Sequence, residues 1–388
     1  MRTRERTTGR GHAPPHRATA RVLAVALLAL AAAACKPLGV SADARAPTPD
    51  GGVPGRSCSD GAPHNWKPED PGEAVSLGPG GGLANLFDVW GASPTQVFAV
   101  GSQGKVIYYD GKTWKAQATP TKQDLTAVWG SSATDVWAVG FGGTVLQFDG
   151  QTWQDRSPPP TVFVSTDGGV PTGDAAVAAR RNLWGVWAAP QAVYAAGDRG
   201  AVVFYNGTVW TRVASGVEEK LADVWGAGPN QVFIVGDFGT VLSGSSTGLT
   251  KAQTGTAKQL RAVWGRGGND VYAVGLAGTL LHFNGSKWEA VEGTPKQFFR
   301  AVWGPADDGS VIYVVGWDGS LLRVSGGPSY TNGATFDLYD CITARRLEGI
   351  WGTARTGRLD AGVPRDGGPL GTNVAWIVGV SGTVIVGP

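Results

Sequence analysis

The sequence predicts an all-β fold: a seven-bladed β-propeller of four-stranded antiparallel blades, closed by an N-terminal strand completing the last blade. Three observations carry this expectation. A Leu/Phe-x-x-Val/Ile-Trp pattern recurs with tryptophans at Trp90, Trp129, Trp187, Trp225, Trp264, Trp303 and Trp351, in steps of 38 to 58 residues. Each copy breaks into short Val/Trp/Phe-rich runs bounded by Gly, Ser or Asp. The last copy lacks its final run, and a spare version of that run precedes the first copy. A period near forty means a repeated supersecondary unit, and runs too short and too glycine-punctuated for helices read as strands.

The second copy shows the elements in order. Leu125-Thr126-Ala127-Val128-Trp129 is the first strand and Val136-Trp137-Ala138-Val139 the second. A Gly-x-x-Gly turn, Gly140 to Gly143, leads into the third, which runs to Phe148. Asp149-Gly150 follows, and Trp153 opens the fourth strand. An Asp-Gly pair predicts a tight hairpin with positive φ at both positions; Asp110-Gly111, Asn206-Gly207 and Asn284-Gly285 repeat it. Four such strands in each of seven units make propeller blades. A ring is favoured over a row because both faces of the runs are apolar or small, and a row would need polar end caps. The axial position of the first strand is Asp88, Ala127, Gly185, Asp223, Ala262, Ala301 and Gly349, short enough for a crowded centre.

Closure is read from the termini. Gly382-Thr383-Val384-Ile385-Val386 is the third strand of unit seven, with no fourth after it. Asp60-Gly61-Ala62-Pro63-His64-Asn65-Trp66-Lys67 resembles the hairpin-plus-Trp element of the repeats. It is expected to supply the missing outer strand and so pair an open edge; the alternative is a loose linker. Cys58 and Cys341 would then lie on neighbouring parts of the ring, as a disulfide in an oxidising compartment or as two buried thiols.

Residues 1–34 read as a secretory signal: six arginines precede the apolar run 22–34, which ends in Ala32-Ala33-Ala34 before Cys35. The cysteine after small residues resembles the bacterial lipobox. That resemblance implies cleavage before Cys35, acylation there and a membrane contact through the lipid, with Lys36 pointing to the outer membrane; plain secretion is the alternative. Residues 35–57, rich in Pro, Gly and Ala, read as a flexible tether, and residues 58–388 as the propeller. Without residues 1–34 the totals of 33 basic and 31 acidic residues become 27 and 30. The slight basicity therefore belongs to the signal and implies no nucleic-acid partner.

The repeat Val-Trp-Gly … Asp-Val-Trp-Ala-Val-Gly-x-x-Gly-Thr-Val … Asp-Gly-x-x-Trp is similar to the Asp-box (BNR-type) repeats of sialidases and of photosystem II assembly-factor-like proteins. The resemblance implies a propeller and no single activity. The Asp-Gly turns lack the leading Ser/Thr of a full Asp-box, and the Arg-Ile-Pro motif of sialidases is absent.

Candidate chemistry is sparse. His64 and His282 come from different units and read as solvated, so no metal site or cofactor is expected. Residues 305–309 carry acids without the ligand count of a calcium loop. The Gly-x-x-Gly turns should line one mouth of the channel, and the richest carry Asp198-Arg199, Asp237-Phe238 and Trp317-Asp318. These six are the candidate ligand-binding residues. Insertions at 156–182 and 353–373 break the period, the first over that mouth and the second at the opposite one. The expected function is a non-enzymatic binding or scaffolding module of the cell envelope, facing the periplasm or cell surface and recognising a protein or glycan. The reading rests on the lack of a convergent acid, base or metal set. The competing class is a carbohydrate-active hydrolase or lyase using Asp198, Asp237 and Asp318.

Overall fold

The computed structural model describes residues 66–163, 181–305, 308–326, 333–339, 342–353, 359–360, 363–364 and 374–387. Cys35, Cys58, Cys341, His64, and the signal and tether fall outside them. Seven four-stranded antiparallel sheets surround a central channel. Blades 1 to 6 are consecutive hairpins starting at Leu86, Leu125, Leu183, Leu221, Leu260 and Phe299. Blade 7 is assembled from both ends of the described chain: Leu347–Gly352 innermost, then Ala375–Gly379, Val384–Gly387, and Lys67–Glu69 outermost.

The expected closure is present. Lys67 pairs with Val386, Pro68 with Ile385 and Glu69 with Val384. Trp66 is buried, 7 % exposed, with its ring against Gly387 and edge-on to Tyr313 of blade 6 at 6.2 Å. In blades 1, 2, 3 and 5 the corresponding tryptophan pairs with an aromatic residue, as Trp114 does with Tyr109. Here the facing residue is glycine, which leaves room for the indole to reach the neighbouring blade.

The recurring Val-Trp-Gly has a physical cause. The tryptophan of one blade lies on the glycine of the next. A Cβ on Gly91 would stand 2.6 Å from the Trp351 ring, and one on Gly226 2.8 Å from Trp187. Trp90 on Gly130, Trp225 on Gly265 and Trp303 on Gly352 repeat the contact. Blade 3 has Ala188 in place of the glycine, and Trp129 facing it from blade 2 is left half-buried. Five of the seven blade boundaries are therefore locked by a tryptophan on a glycine, the exceptions being those entering blade 3, with Ala188, and blade 6, where Gly304 meets Arg266. The middles of the second strands, such as Val97–Val100, are buried between blades, Tyr313 of blade 6 being half-buried.

The Gly-x-x-Gly turns need both glycines. In blade 4, Gly239 has φ +68, and a Cβ there would strike the Thr256 carbonyl oxygen of the next inter-blade link; one on Gly236 would strike that of Lys220. Six of the seven turns also hold the residue before the second glycine at positive φ: Gln103, Gly142, Arg199, Phe238, Ala277 and Ser381.

Two local expectations are corrected. The Asp-Gly hairpins are four-residue loops, since Tyr109 pairs with Trp114. Asp110 Oδ1 accepts the N–H groups of Lys112 (3.0 Å) and Thr113 (2.9 Å), and Gly111 alone takes positive φ. The aspartate acts as an Asx cap, which frees its own φ from the left-handed region. His282 is not solvated. It is 4 % exposed, 2.8 Å from Asp270 and stacked on Tyr272. Asp135 of blade 2 makes the equivalent link to Trp137 and Gln147. Of the insertion at 156–182, Phe163 packs into the core shared by blades 2 and 3. Within 353–373, residues 359–360 pair with 363–364.

Candidate functional site

The site begins with a register fault that every blade shares. In all seven innermost strands the pairing with the second strand shifts between the first and third residues, as between Leu86 and Asp88. The first residue is buried in the blade and the third continues the ladder. The second residue is a bulge, which re-aims its side chain. These bulge residues are Phe87, Thr126, Trp184, Ala222, Arg261, Arg300 and Glu348. All seven line one cavity of about 430 Å³ on the axis, joined by Lys220 and Arg346 from just before their strands and by Phe141. The closing turns of the second strands surround this same end of the channel.

The pit is divided by chemistry. Blades 1 to 3 supply Phe87, Thr126, Phe141 and Trp184, whereas blades 4 to 7 supply Lys220, Arg261, Arg300, Arg346 and Glu348. Lys220 Nζ sits 3.0 Å from the centre of the Trp184 ring, an attraction between a cation and the electron-rich face. Trp184 is held in turn: its Nε1 donates to Asp198 (2.7 Å), and Phe141 meets it edge-on. Burial, followed by the charge of Arg261, lowers the Lys220 ammonium to about 8, although Asp198 and Asp237 pull the other way.

Glu348, 5 % exposed, is the hub of the basic side. It accepts Arg300 Nε at 2.6 Å and also pairs with Arg346. Arg346 lies over the Trp317 ring at 5.5 Å, and Trp317 packs edge-on to Phe298. Arg261 differs. Its Nε is buried without a hydrogen-bond partner, and burial and the Arg300 charge both act against its guanidinium, which nonetheless remains charged in proteins. On the outer wall of the cavity one carboxylate, Glu348, serves two of the four cations, while Asp198 and Asp237 act on Lys220 from the rim.

One residue deeper lie Asp88 and Asp223. Asp88 accepts Val89 N–H (2.9 Å) and, across the blade boundary, Val128 N–H (2.8 Å). Asp223 does the same with Val224 (2.8 Å) and Val263 (2.9 Å). Each is preceded round the ring by a glycine, Gly349 and Gly185, whose missing side chain admits the carboxylate. Burial outweighs these hydrogen bonds and pushes Asp88 up to about 7 and Asp223 to about 8.

None of the six residues expected from the turns lies on the wall of the pit, and four of them stand around it. Asp198 bonds Trp184 and Asn182, and Asp237 accepts from Gln259 Nε2. Trp317, 41 % exposed, flanks Arg346; Asp318 accepts Ser320 Oγ at 2.6 Å. Arg199 and Phe238 face outward over a separate open groove of about 1240 Å³ between blades 3 and 4, lined also by Val162, Arg212 and Lys251. Sequence reasoning passed over Lys220, Arg261, Arg300, Arg346 and Glu348. The available signal was that residue two of each innermost strand ranges from Ala to Arg between near-constant neighbours. Among the described residues no group of three or more His, Cys, Asp or Glu side chains converges on a point that could hold a metal ion.

No protein-family model and no curated protein matches the chain. Solved structures do resemble it. YCF48 from Cyanidioschyzon merolae is 15% identical with a TM-score of 0.55, over 83% of this chain and 98% of that one. A structure of YCF48 bound to D1 peptide is 12% identical with a TM-score of 0.57, over 84% and 96%. The WD40 repeats of RRP9 are 11% identical with a TM-score of 0.57, over 84% and 98%. At these identities the likeness is one of fold: the chain shares the propeller architecture of these proteins.

Proposed function

We propose that the chain is a lipid-anchored, non-enzymatic binding propeller of the bacterial cell envelope, whose channel mouth receives an anionic group of a protein partner. The observation that carries the reading is Arg261, a partly buried guanidinium with an unpartnered Nε between Lys220 and Arg300. Buried polar groups are normally paired, so an unpaired donor in a cationic pit fits an incoming carboxylate. A polypeptide suits the mouth better than a glycan. Trp184 and Trp317, the natural platforms for sugar stacking, each have one face covered by a cation. The structure of YCF48 with a D1 peptide is a precedent for a peptide partner on this architecture. Asp198, Asp237 and Asp318 each accept a hydrogen bond from a neighbouring side chain, which suits positioning more than proton transfer.

The test is a fluorescence titration of the full chain with short acidic peptides, matched neutral peptides and uronic-acid oligosaccharides. Arg261→Ala and Lys220→Ala should each weaken acidic-peptide binding by about ten-fold or more, because each removes a charged partner from a partly desolvated contact. Equal binding of the neutral peptides, or no loss in either variant, would contradict the reading; preference for the oligosaccharides would move the partner class to glycan. The envelope address is tested separately. Cys35→Ser should abolish incorporation of labelled fatty acid and release the protein from membranes, whereas a membrane-bound serine variant would refute the anchor.

A further inference from the structure

We infer that the pit binds its anionic ligand with net proton uptake, since a cationic mouth and an acidic wall share one small cavity. The inference rests on the anion-binding reading above and adds a condition under which the site loads and empties.

The geometry sets two layers along the axis within about 430 Å³. Lys220, Arg261, Arg300 and Arg346 form the outer layer, and Asp88 and Asp223 the inner one. The inner acids make no direct contact with the outer cations. Both oxygens of each are already directed at backbone N–H groups of two adjacent blades, and neither joins a cation in an ion pair among the described residues. Glu348 is engaged by Arg300 and Arg346. An anion held by Lys220 and Arg261 would therefore sit directly above two carboxyl groups that have no counter-charge of their own.

The charged surroundings of the three titrating groups are defined. Lys220 faces Asp198 from blade 3, Asp237 from its own blade, Arg261 from blade 5 and Arg300 from blade 6. Asp223 feels the charge of Asp88 across the channel. Asp88 lies between Gly349 of blade 7 and the Val128 N–H of blade 2. Burial places all three near neutrality: Lys220 at about 8, Asp223 at about 8 and Asp88 at about 7.

The sign follows from like and unlike charge. A bound anion favours the ammonium form of Lys220 and the neutral forms of Asp88 and Asp223, so it raises the proton affinity of each. By linkage, binding takes up protons and weakens as pH rises. On going from mildly acidic to alkaline surroundings, the pit loses the Lys220 charge and gains two negative ones, and the anion is expelled.

The experiment is isothermal calorimetry on the full chain with N-acetylated tri-aspartate, whose carboxylates stay ionised throughout, at about pH 6, 7.5 and 9, each in two buffers of different ionisation heat. The expected result is a buffer-dependent heat that reports proton uptake, and an affinity about ten-fold lower at the alkaline end. The Asp88→Ala, Asp223→Ala double variant, once shown by melting to fold, should lose the two acids' share of the pH dependence, so that its affinity falls less toward alkaline pH than the wild type's and the remaining slope is that of Lys220. Binding with no proton uptake and a constant Kd would overturn the coupling while leaving the anion site intact. A folded double variant with the full pH slope would overturn it too. No binding at any pH would remove the anion site and the coupling with it. The wild-type measurement decides the matter even where the double variant does not fold.

Discussion

At the scale of single residues, glycine and aspartate do unusual work in this ring. Gly226 lies under the Trp187 indole, with 2.8 Å between that ring and any Cβ. Gly226→Val should cost about 1–3 kcal/mol by overpacking, measured by urea unfolding; a neutral substitution would show that the Trp-on-Gly lock is loose. Asp223 ties blade 4 to blade 5 through Val263. Asp223→Ala should lower stability by about 1–3 kcal/mol, because it strands buried N–H groups. The same acids give a pH signature whose sign can be worked out. Their folded pKa values, about 7 for Asp88 and about 8 for Asp223, lie above the unfolded value of about 3.9. The folded state therefore holds protons the unfolded chain has lost, and this contribution to stability declines as pH rises from about 4 to about 8. Asp110 acts oppositely: the hydrogen bonds it accepts from Lys115, Thr113 and Lys112 hold it below the usual range, so its contribution is present above about pH 4 and is lost in acid. Thermal melts across that range should show wild-type stability falling toward alkaline pH. The double alanine variant should flatten the fall; an unchanged slope would deny these acids the role.

At the scale of elements, the strand Lys67–Glu69 is the piece that makes a circle of a row. It is only three residues long, and Trp66 carries its hold on blades 6 and 7. Trp66→Ala should destabilise by about 3–5 kcal/mol, and the loss should appear first as hydrogen exchange at the edge of Val384–Gly387. Uniform protection there would mean that the outer strand is dispensable. This element was legible in advance because a Trp-bearing run stood spare at one end where the repeat register left a gap at the other. The Gly-x-x-Gly turns were legible for the same reason, repetition in register. The bulges were not. A one-residue slip in pairing leaves no mark in hydropathy, so Arg261, Arg300 and Glu348 read as ordinary strand residues, although the third position, which holds Asp88 and Asp223, does face the axis as expected. His282 was misread because a histidine near a turn looks exposed until its partner Asp270, twelve residues earlier, is folded back against it.

At the scale of the whole molecule, seven similar blades converge side chains of six kinds on one axis, and the scaffold itself is indifferent to what they are. The propeller could be inferred from periodicity and the mouth could be located, but the charge of the mouth is a property of convergence. Residues in blades 4 to 7 that are about forty positions apart become neighbours only when the ring closes. Binding at such a site should weaken with salt, because a partly open cationic cavity is screened by mobile ions. A several-fold loss in affinity for an acidic peptide between low and physiological ionic strength is expected, and salt-independent binding would place the contact elsewhere. The most direct measurement is a crystal structure of the chain soaked with an acidic peptide. A carboxylate seated between Lys220 and Arg261 is the result expected; a peptide lying in the outer groove beside Phe238 and Arg199, with the pit holding only water, would contradict the account.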